Sequence, residues 1–126
     1  DVVEESQGLA LAKHLLAAGV RIMVYDPAAM ANAKLHLIGT VAFAKSASDC
    51  TRQADVLAIT TAWSEFQRLS AIDLKTGPIK PVVLDCWRIL PRNNFRNIAT
   101  YLTLGVPILK FSSKSHQVVD ELTANA

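Results

Sequence analysis

The segment Asp85-Cys86-Trp87-Arg88 brings an acid, a thiol, an indole and a guanidinium to one point of the chain. An indole can stack on a base, and a guanidinium can grip a diphosphate through two parallel hydrogen bonds. Arg92 and Arg96 continue the arginine series at intervals of four residues, so they share one face of a helix if one begins here. The arginines predict either a phosphate site or a solvated basic face, since arginine is usually exposed.

A second group of polar and aromatic residues lies at Thr60-Thr61-Ala62-Trp63-Ser64-Glu65-Phe66. The hydroxyl of Thr61 and the free N–H groups of a following helix could meet a phosphate. The alternative is that Ser64 opens a capping box while Trp63 and Phe66 pack in the core, because large aromatic side chains dominate core energetics. Both interpretations stay open at this point.

Asp26 ends an apolar run and precedes Pro27. An acid in this place binds ribose hydroxyls in dinucleotide-binding folds, but that role requires a glycine-rich turn about 20 residues upstream. No G-x-G-x-x-G occurs in the chain. We therefore favour a capping role, since Asp is a good N-cap and Pro is preferred at the first helical position.

Neither catalytic nor metal-binding residues are predicted. Cys86 has no histidine near it in sequence, and an unactivated thiol is a poor nucleophile at neutral pH. Cys50 and Cys86 form no C-x-x-C pair, which disfavours a structural zinc site. The three histidines are scattered and form no pair at ligand spacing: His14, His36 and His116.

The elements that must position these residues alternate along the chain. Continuous apolar runs predict strands over residues 20–25, 41–43, 55–60, 81–85 and 101–104. Capping residues and helical spacing predict helices over residues 6–18 and 27–38, from 46, from 64, and over 91–99. Buried strands alternating with helices imply a mainly parallel sheet covered on both faces, a Rossmann-like three-layer α/β/α fold.

Ligands of open α/β sheets bind beyond the carboxyl ends of the strands. The polar and aromatic groups described above follow two of the predicted strands, so we expect them to meet on one rim. The predicted substrate-binding residues are Thr61, Trp63, Asp85, Trp87, Arg88 and Arg92.

Composition limits the partners of this chain. Its 126 residues suit one domain, and its formal net charge of +2 points to no polyanionic partner. A nucleic-acid binder that uses the three arginines with Trp87 and Phe95 is the weakest hypothesis, because no recognition motif accompanies them. No apolar run is long enough to span a bilayer. Unpaired cysteines favour a reduced, cytoplasmic compartment.

Four motifs occur in an order that resembles a known family. Asp1…Glu5-Ser6 resembles a D-D-V-R-E-S segment, and Val24-Tyr25-Asp26-Pro27 resembles V-Y-D-P. Residues 54–66 resemble an A-D…T-E-W-x-E-F segment, and residues 82–90 resemble V-V-x-D-G-R-N. Together they resemble the C-terminal domain of the UDP-glucose/GDP-mannose dehydrogenase family over residues 1–105, with residues 106–126 as a C-terminal extension containing a strand-like segment and a weak helix.

The resemblance implies an enzyme that oxidises the C6 alcohol of a nucleotide-sugar to a carboxylate, using NAD and a thioester on a catalytic cysteine. That cysteine lies outside the matched region, so neither Cys50 nor Cys86 inherits its role, and this chain alone is expected to hold no cofactor. The resemblance implies that the domain binds the UDP or GDP part of a UDP- or GDP-hexose. It also implies a homodimer formed through the parent enzyme.

Departures from the family pattern fall at the candidate site. Cys86 stands in place of the glycine of D-G-R-N, Trp87 in place of its arginine, and Arg88 one position later. Glu4 stands in place of the arginine of V-R-E-S. An alternative function follows from these changes: a non-catalytic Rossmann-like binding or dimerisation module that has lost its ligand.

The family's first strand, which carries a nucleotide-contacting lysine, is expected to be absent from this chain. A sheet that lacks an inner strand leaves unpaired backbone groups on both sides of the gap. Residues 106–111, or an exchange of elements between two chains, are hypothesised to fill it.

Overall fold

The computed structural model describes residues 7–105; residues 1–6 and 106–126 lie outside this range. Helices and strands alternate through it, as expected. The helices are α1 (Gln7–Ala17), α2 (Met30–His36), α3 (Ala47–Gln53) and α4 (Arg92–Phe95), with 3₁₀ helices at Ser64–Arg68 and Ala71–Asp73. The strands are β1 (Ile22–Val24), β2 (Val41–Phe43), β3 (Val56–Ile59), β4 (Val82–Asp85) and β5 (Thr100–Thr103).

Every strand pairing among the described residues is parallel. β1 pairs with β2, and β4 lies between β3 and β5 in a three-stranded sheet. Parallel strands flanked by helices confirm the predicted Rossmann-like α/β fold. The described strands form two sheets, and β1 and β3 are not paired with each other. The segment hypothesised to fill a gap, residues 106–111, lies outside the described range.

Two apolar clusters hold the helices on the sheets. The larger cluster packs α3, both 3₁₀ helices and α4 against β3–β4–β5, and Val83 and Phe95 are its most buried members at 0% and 1% exposure. The smaller cluster packs α1 and α2 on β1–β2, through buried residues that include Leu9 and Ala33. Tyr25, directly after β1, packs against the larger cluster and joins the two halves.

Local signals explain most of the boundaries. Gly19 ends the first helical segment with φ +80°, a conformation that glycine adopts without strain. Ser46 accepts the N–H of Asp49 at 3.0 Å and caps α3 as predicted. Asp26 accepts the N–H groups of Ala28 and Ala29 at 2.8 and 2.9 Å. These bonds form a turn after Asp26, so α2 begins at Met30 and not at the predicted residue 27.

Two helix predictions were wrong. Ser64 makes no capping bond: it lies inside a 3₁₀ helix whose N-cap is Trp63. The helix expected over 91–99 is the single turn Arg92–Phe95. This segment contains three asparagines, which favour turns over helix interiors. The capping box of the region is instead Ser70 with Asp73.

Asp73 links α3 to the second 3₁₀ helix through hydrogen bonds. Its carboxylate accepts the N–H of Ser70 at 2.9 Å and the hydroxyl of Ser48 at 2.7 Å, and Arg52 lies 3.8 Å away. Burial alone would raise the pKa of Asp73, but the hydrogen bonds from Ser48 and Ser70, with the charge of Arg52, outweigh it and lower that pKa.

A buried carboxylate ends β4. Asp85 has no exposed surface, and its Oδ2 accepts the hydroxyl of Tyr101 at 2.6 Å and the N–H of Leu90 at 2.9 Å. Its Oδ1 has no hydrogen-bond partner among residues 7–105. Burial, then the bond to Asp85, raises the pKa of Tyr101 far above its ordinary value, so the phenol stays a donor. One side chain therefore ties together β4, β5 and the loop that follows β4.

We expect Asp73→Ala to lower the free energy of unfolding by about 1–2 kcal/mol at neutral pH, because a cap and its interhelix bonds are lost. The pKa of Asp73 is depressed in the folded chain, so its contribution is fully present above the ordinary pKa of an aspartate and is lost as the pH falls below it. Urea denaturation at several pH values should show the difference from wild type shrinking in acid. Asp55→Ala, which removes an exposed ion pair, is the control and should change stability less.

We expect Tyr101→Phe to lower the free energy of unfolding by about 1–3 kcal/mol, because the buried carboxylate of Asp85 loses one of its two donors. Tyr25→Phe is a matched control, since Tyr25 donates to the partly exposed carboxylate of Glu65. Urea denaturation of both variants measures the two effects. Equal losses would contradict the structural role assigned to the buried pair.

Candidate functional site

The carboxyl ends of β3, β4 and β5 share one rim. Ile59 lies opposite Asp85, which lies opposite Thr103, so the three strands end at the same level. The N–H of Cys86 donates to the carbonyl of Ile59 at 3.1 Å and carries the pairing one residue further. The loops after Thr60 and Leu84 therefore leave the sheet side by side, as the sequence predicted. This rim is the candidate site.

Trp87 connects the central loop of the rim to β3. Its indole Nε1–H donates to the carbonyl of Thr60 at 2.8 Å, yet 57% of the residue remains exposed. The hydrogen bond fixes the ring beside the end of β3 and leaves much of it open to solvent. A ring held in this way offers an apolar surface on which a flat group can stack.

Arg88 connects the same loop to β5. Its Nη2 donates to the carbonyl of Leu104 at 2.8 Å, and its φ of +55° makes it the one non-glycine residue with positive φ among residues 7–105. Gly105 accommodates the guanidinium: a Cβ at that position would lie 3.2 Å from Nη2. The backbone strain at Arg88 is retained where three strand ends meet, a pattern common at binding sites.

Thr61 and Trp63 follow β3 on the rim. Thr61 is half-buried, whereas 37% of Trp63 is exposed. The alternative that both aromatics of this segment pack in the core holds for Phe66, at 8% exposure, but not for Trp63. The reason is that the 3₁₀ helix begins one residue after Trp63 and turns only Phe66 inward.

Asp85 occupies a different place from the one expected of a substrate-binding residue. Its carboxylate lies beneath the rim with no exposed surface and is used by Tyr101 and Leu90. The expectation that it faces a ligand is corrected by this burial: Asp85 supports the Trp87–Arg88 loop from below. Nothing near Asp85 in sequence indicates the partnership with Tyr101, which is sixteen residues away.

Arg92 begins α4, four residues after Arg88. With Arg96 and Lys80 it lines a cleft of about 360 Å³ beside the edge strand β5, next to Tyr101. The structure thus groups Arg92 with Arg96, whereas Arg88 bonds the carbonyl of Leu104 at the end of β5. The chain reverses within the short α4, which carries Arg96 towards the start of β5.

Sequence reasoning missed a contact between Tyr25 and Glu65. The hydroxyl of Tyr25, after β1, donates to both carboxylate oxygens of Glu65 at 3.1 and 3.2 Å. Burial, then the hydrogen bond and charge of Glu65, raises the pKa of Tyr25. The ring of Tyr25 also contacts Phe66, with centroids 6.3 Å apart. The V-Y-D-P and W-x-E-F motifs contain these residues, but nothing local to either motif shows that they pair.

The thiols of the described chain are poorly suited to nucleophilic attack. Burial raises the pKa of both Cys50 and Cys86, and the charges of Asp49 and Asp85 raise them further. Within residues 7–105, no group of three or more histidine, cysteine or acidic side chains could hold a metal ion. No helix in the same range is long and apolar enough to cross a membrane.

Comparison with known proteins agrees with this geometry. Residues 1–92 match the family described as UDP-glucose/GDP-mannose dehydrogenase family, UDP binding domain. The chain is 30% identical over 110 residues to UDP-glucose 6-dehydrogenase of Rickettsia conorii, covering 86% of this chain and 26% of that protein. It is 31% identical over 112 residues to UDP-glucose 6-dehydrogenase of Rhizobium meliloti, covering 85% and 24% respectively. No solved structure gives a significant match.

The chain spans about a quarter of the length of the curated relatives that it matches. The family match covers most of the chain, including β1 to β4 and the loop that carries Trp87 and Arg88. The chain thus belongs to the UDP-glucose/GDP-mannose dehydrogenase family and corresponds to its UDP-binding, C-terminal domain.

Proposed function

We propose that this chain is the nucleotide-sugar-binding domain of an NAD-dependent dehydrogenase that oxidises the C6 alcohol of a hexose to a uronic acid. The family match and the relatives named UDP-glucose 6-dehydrogenase support this proposal. The observation that carries it is the rim, where Trp87 and Arg88 are fixed by hydrogen bonds to the two neighbouring strand ends.

Arg88 is the proposed diphosphate ligand. A guanidinium has five N–H donors, and the bond to the carbonyl of Leu104 uses one nitrogen and leaves donors free for phosphate oxygens. That bond also limits the rotation of the side chain, so less conformational entropy is lost when an anion binds. Arg88 thereby replaces the arginine that the family carries one position earlier.

Trp87, Trp63 and Thr61 are the proposed contacts to the rest of the nucleotide-sugar. The two indoles are partly exposed on neighbouring loops and offer surfaces for a base or a sugar ring. The hydroxyl of Thr61 can donate to a phosphate or accept from a sugar hydroxyl.

Asp85 and Arg92 take supporting roles in the proposal. Asp85 positions the loop that presents Arg88, because its carboxylate accepts the N–H of Leu90 just beyond that loop. Arg92 adds positive potential from the neighbouring cleft and need not touch the ligand.

The remaining parts of the reaction belong to the rest of the longer protein in this proposal. NAD and the catalytic cysteine would be held there, and this chain's own residues would bind and orient the substrate. The proposed domain covers residues 1–105, with 106–126 as an extension. The proposal also includes a homodimer and a cytoplasmic location. The free thiols of Cys50 and Cys86 are in keeping with that location.

A non-catalytic binding or dimerisation module is the second candidate. The observation that favours it is the hydrogen bond between Arg88 and Leu104, which holds the displaced arginine against the protein's own backbone. In this alternative, Trp87 and Arg88 serve only to join the strand ends.

We expect calorimetric titration of UDP and UDP-glucose into this chain to give binding that Arg88→Ala weakens about tenfold or more, because a charge-assisted contact to the diphosphate is lost. Arg21→Ala is the matched control: Arg21 is an exposed arginine directly before β1, at the opposite end of the strands. Its affinity should equal that of wild type.

GDP and GDP-mannose, titrated in the same way, show which nucleotide the domain prefers. Absence of heat with all four ligands, both for this chain and for a version extended by its upstream residues, would favour the non-catalytic module. An equal loss of affinity in the Arg88 and Arg21 variants would exclude the rim as the site.

A further inference from the structure

The cleft beside the edge strand β5 gathers three positive charges. Lys80, Arg92 and Arg96 line its volume of about 360 Å³, together with the polar side chains of Asn97 and Thr100. No acidic residue of the described chain lines it. The three cations outnumber the formal net charge of the whole chain, which is +2. The cleft therefore holds a local excess of positive charge.

Backbone hydrogen bonds bring these residues together from separate parts of the sequence. The N–H of Thr100 donates to the carbonyl of Pro81 at 2.9 Å, which places Lys80 beside the start of β5. The N–H of Arg96 donates to the carbonyl of Arg92 at 3.1 Å, so the two arginines are one helical turn apart along α4. The cleft is thus formed by α4 and by the segments that precede β4 and β5.

Phe95 holds the helix that carries the two arginines against β5. Only 1% of Phe95 is exposed, and its ring stacks on that of Tyr101 with centroids 6.5 Å apart. The N–H of Ala99 donates to the carbonyl of Phe95 at 2.9 Å and fixes the chain as it leaves the helix. The backbone on both sides of Phe95 is therefore in place before a ligand binds, which lowers the entropic cost of binding.

No acid within residues 7–105 neutralises the cations of the cleft. The ion pairs in this range involve Lys75 and Arg52, which lie elsewhere. The side chains of Lys80, Arg92 and Arg96 make neither an ion pair nor a hydrogen bond with the described residues. Like charges that line one cleft repel one another, and a bound anion removes that repulsion.

The cleft and the rim lie at opposite ends of the strands. Lys80 precedes β4 and Thr100 begins β5, so the cleft opens beside the amino ends of these strands. The rim lies at their carboxyl ends, where Asp85 is paired with Thr103. A strand of four residues spans roughly 13 Å, which is more than a single phosphate group can bridge.

We propose that this cleft binds the phosphate group of a small molecule, as a second anion site besides the rim. The planar guanidinium groups of Arg92 and Arg96 can each hold two phosphate oxygens, and Lys80 adds a point charge. The amide of Asn97 and the hydroxyl of Thr100 supply uncharged donors. The proposal does not depend on what the rim binds.

The size of the cleft favours a small molecule over a protein partner. Its volume of about 360 Å³ lies near the lower end of the range for small-molecule sites, which begins at roughly 300 Å³. A stable protein–protein interface uses roughly 20–30 residues on each side, whereas seven described residues line this cleft.

Amide chemical shifts of the complete 126-residue chain, followed during a titration with sodium phosphate, test the site directly. Ionic strength is held constant, so general screening does not change. The expected result is a saturable shift of the amides of Asn97 and Thr100. The amides of Cys86 and Leu104 report on the rim separately, so failure of the rim as a site leaves this result unaffected. Absence of saturation at Asn97 and Thr100 would overturn the proposal.

A pair of matched arginine variants tests which charges bind the phosphate. Arg96→Gln should weaken phosphate binding about tenfold, because a charge-assisted contact is lost. Arg21→Gln makes the same change of charge at an exposed arginine directly before β1 and should leave the affinity as in wild type. Arg96 is itself exposed, so its variant should keep the amide spectrum of the folded chain. Equal losses in both variants would identify a solvated basic surface and overturn the proposal.

Further titrations distinguish the source of the phosphate and exclude other occupants. Inorganic phosphate, glucose 1-phosphate and uridine monophosphate are compared, and the tightest of the three identifies the source. Sodium succinate, a dianion without phosphate, should bind at least about tenfold more weakly, because its carboxylates do not place oxygens as a phosphate does. Equal affinity for succinate would overturn the proposal. Loss of phosphate binding in a version extended by its upstream residues would assign the cleft to the longer protein and would also overturn it.

Discussion

The buried hydrogen bond between Tyr101 and Asp85 is the constraint on which the candidate site depends. It joins the last residue of β4 to β5, and the same carboxylate accepts the N–H of Leu90 beyond the loop. A carboxylate without exposed surface is stable only when donors compensate for the loss of water. Both ends of the segment 85–90 are thereby held, and the Trp87–Arg88 loop lies between them.

The arrangement of the rim follows from the pairing of the strands. Parallel pairing in register brings three strand ends to one level, and the loop after the central strand reaches both neighbours, through Trp87 to Thr60 and through Arg88 to Leu104. The arrangement presents an aromatic surface and a cation without burying either. This is the combination of rigidity and exposure that recognition of a charged ligand requires.

The sequence predicted the structural features that depend on local pattern. It did not predict those that depend on residues distant in sequence. Apolar runs placed all five strands, and Ser46 capped its helix as expected. Local pattern could not separate Ser64, which lies inside a 3₁₀ helix, from Ser70, which forms the capping box. It also could not show that Asp85 is buried, because the partner that makes burial tolerable lies on another strand. Local pattern also placed the three arginines together, whereas the structure groups Arg92 with Arg96 in the cleft beside β5.

The contact between Arg88 and Gly105 constrains how this family member can vary. A side chain at position 105 would both meet the guanidinium at 3.2 Å and occupy a backbone conformation that L-residues avoid. The two positions are therefore coupled across seventeen residues of sequence. Homologues that carry an arginine at the position of Arg88 should retain glycine at that of Gly105. Loss of that arginine does not free position 105, because its φ of +73° favours glycine whether or not a guanidinium lies beside it.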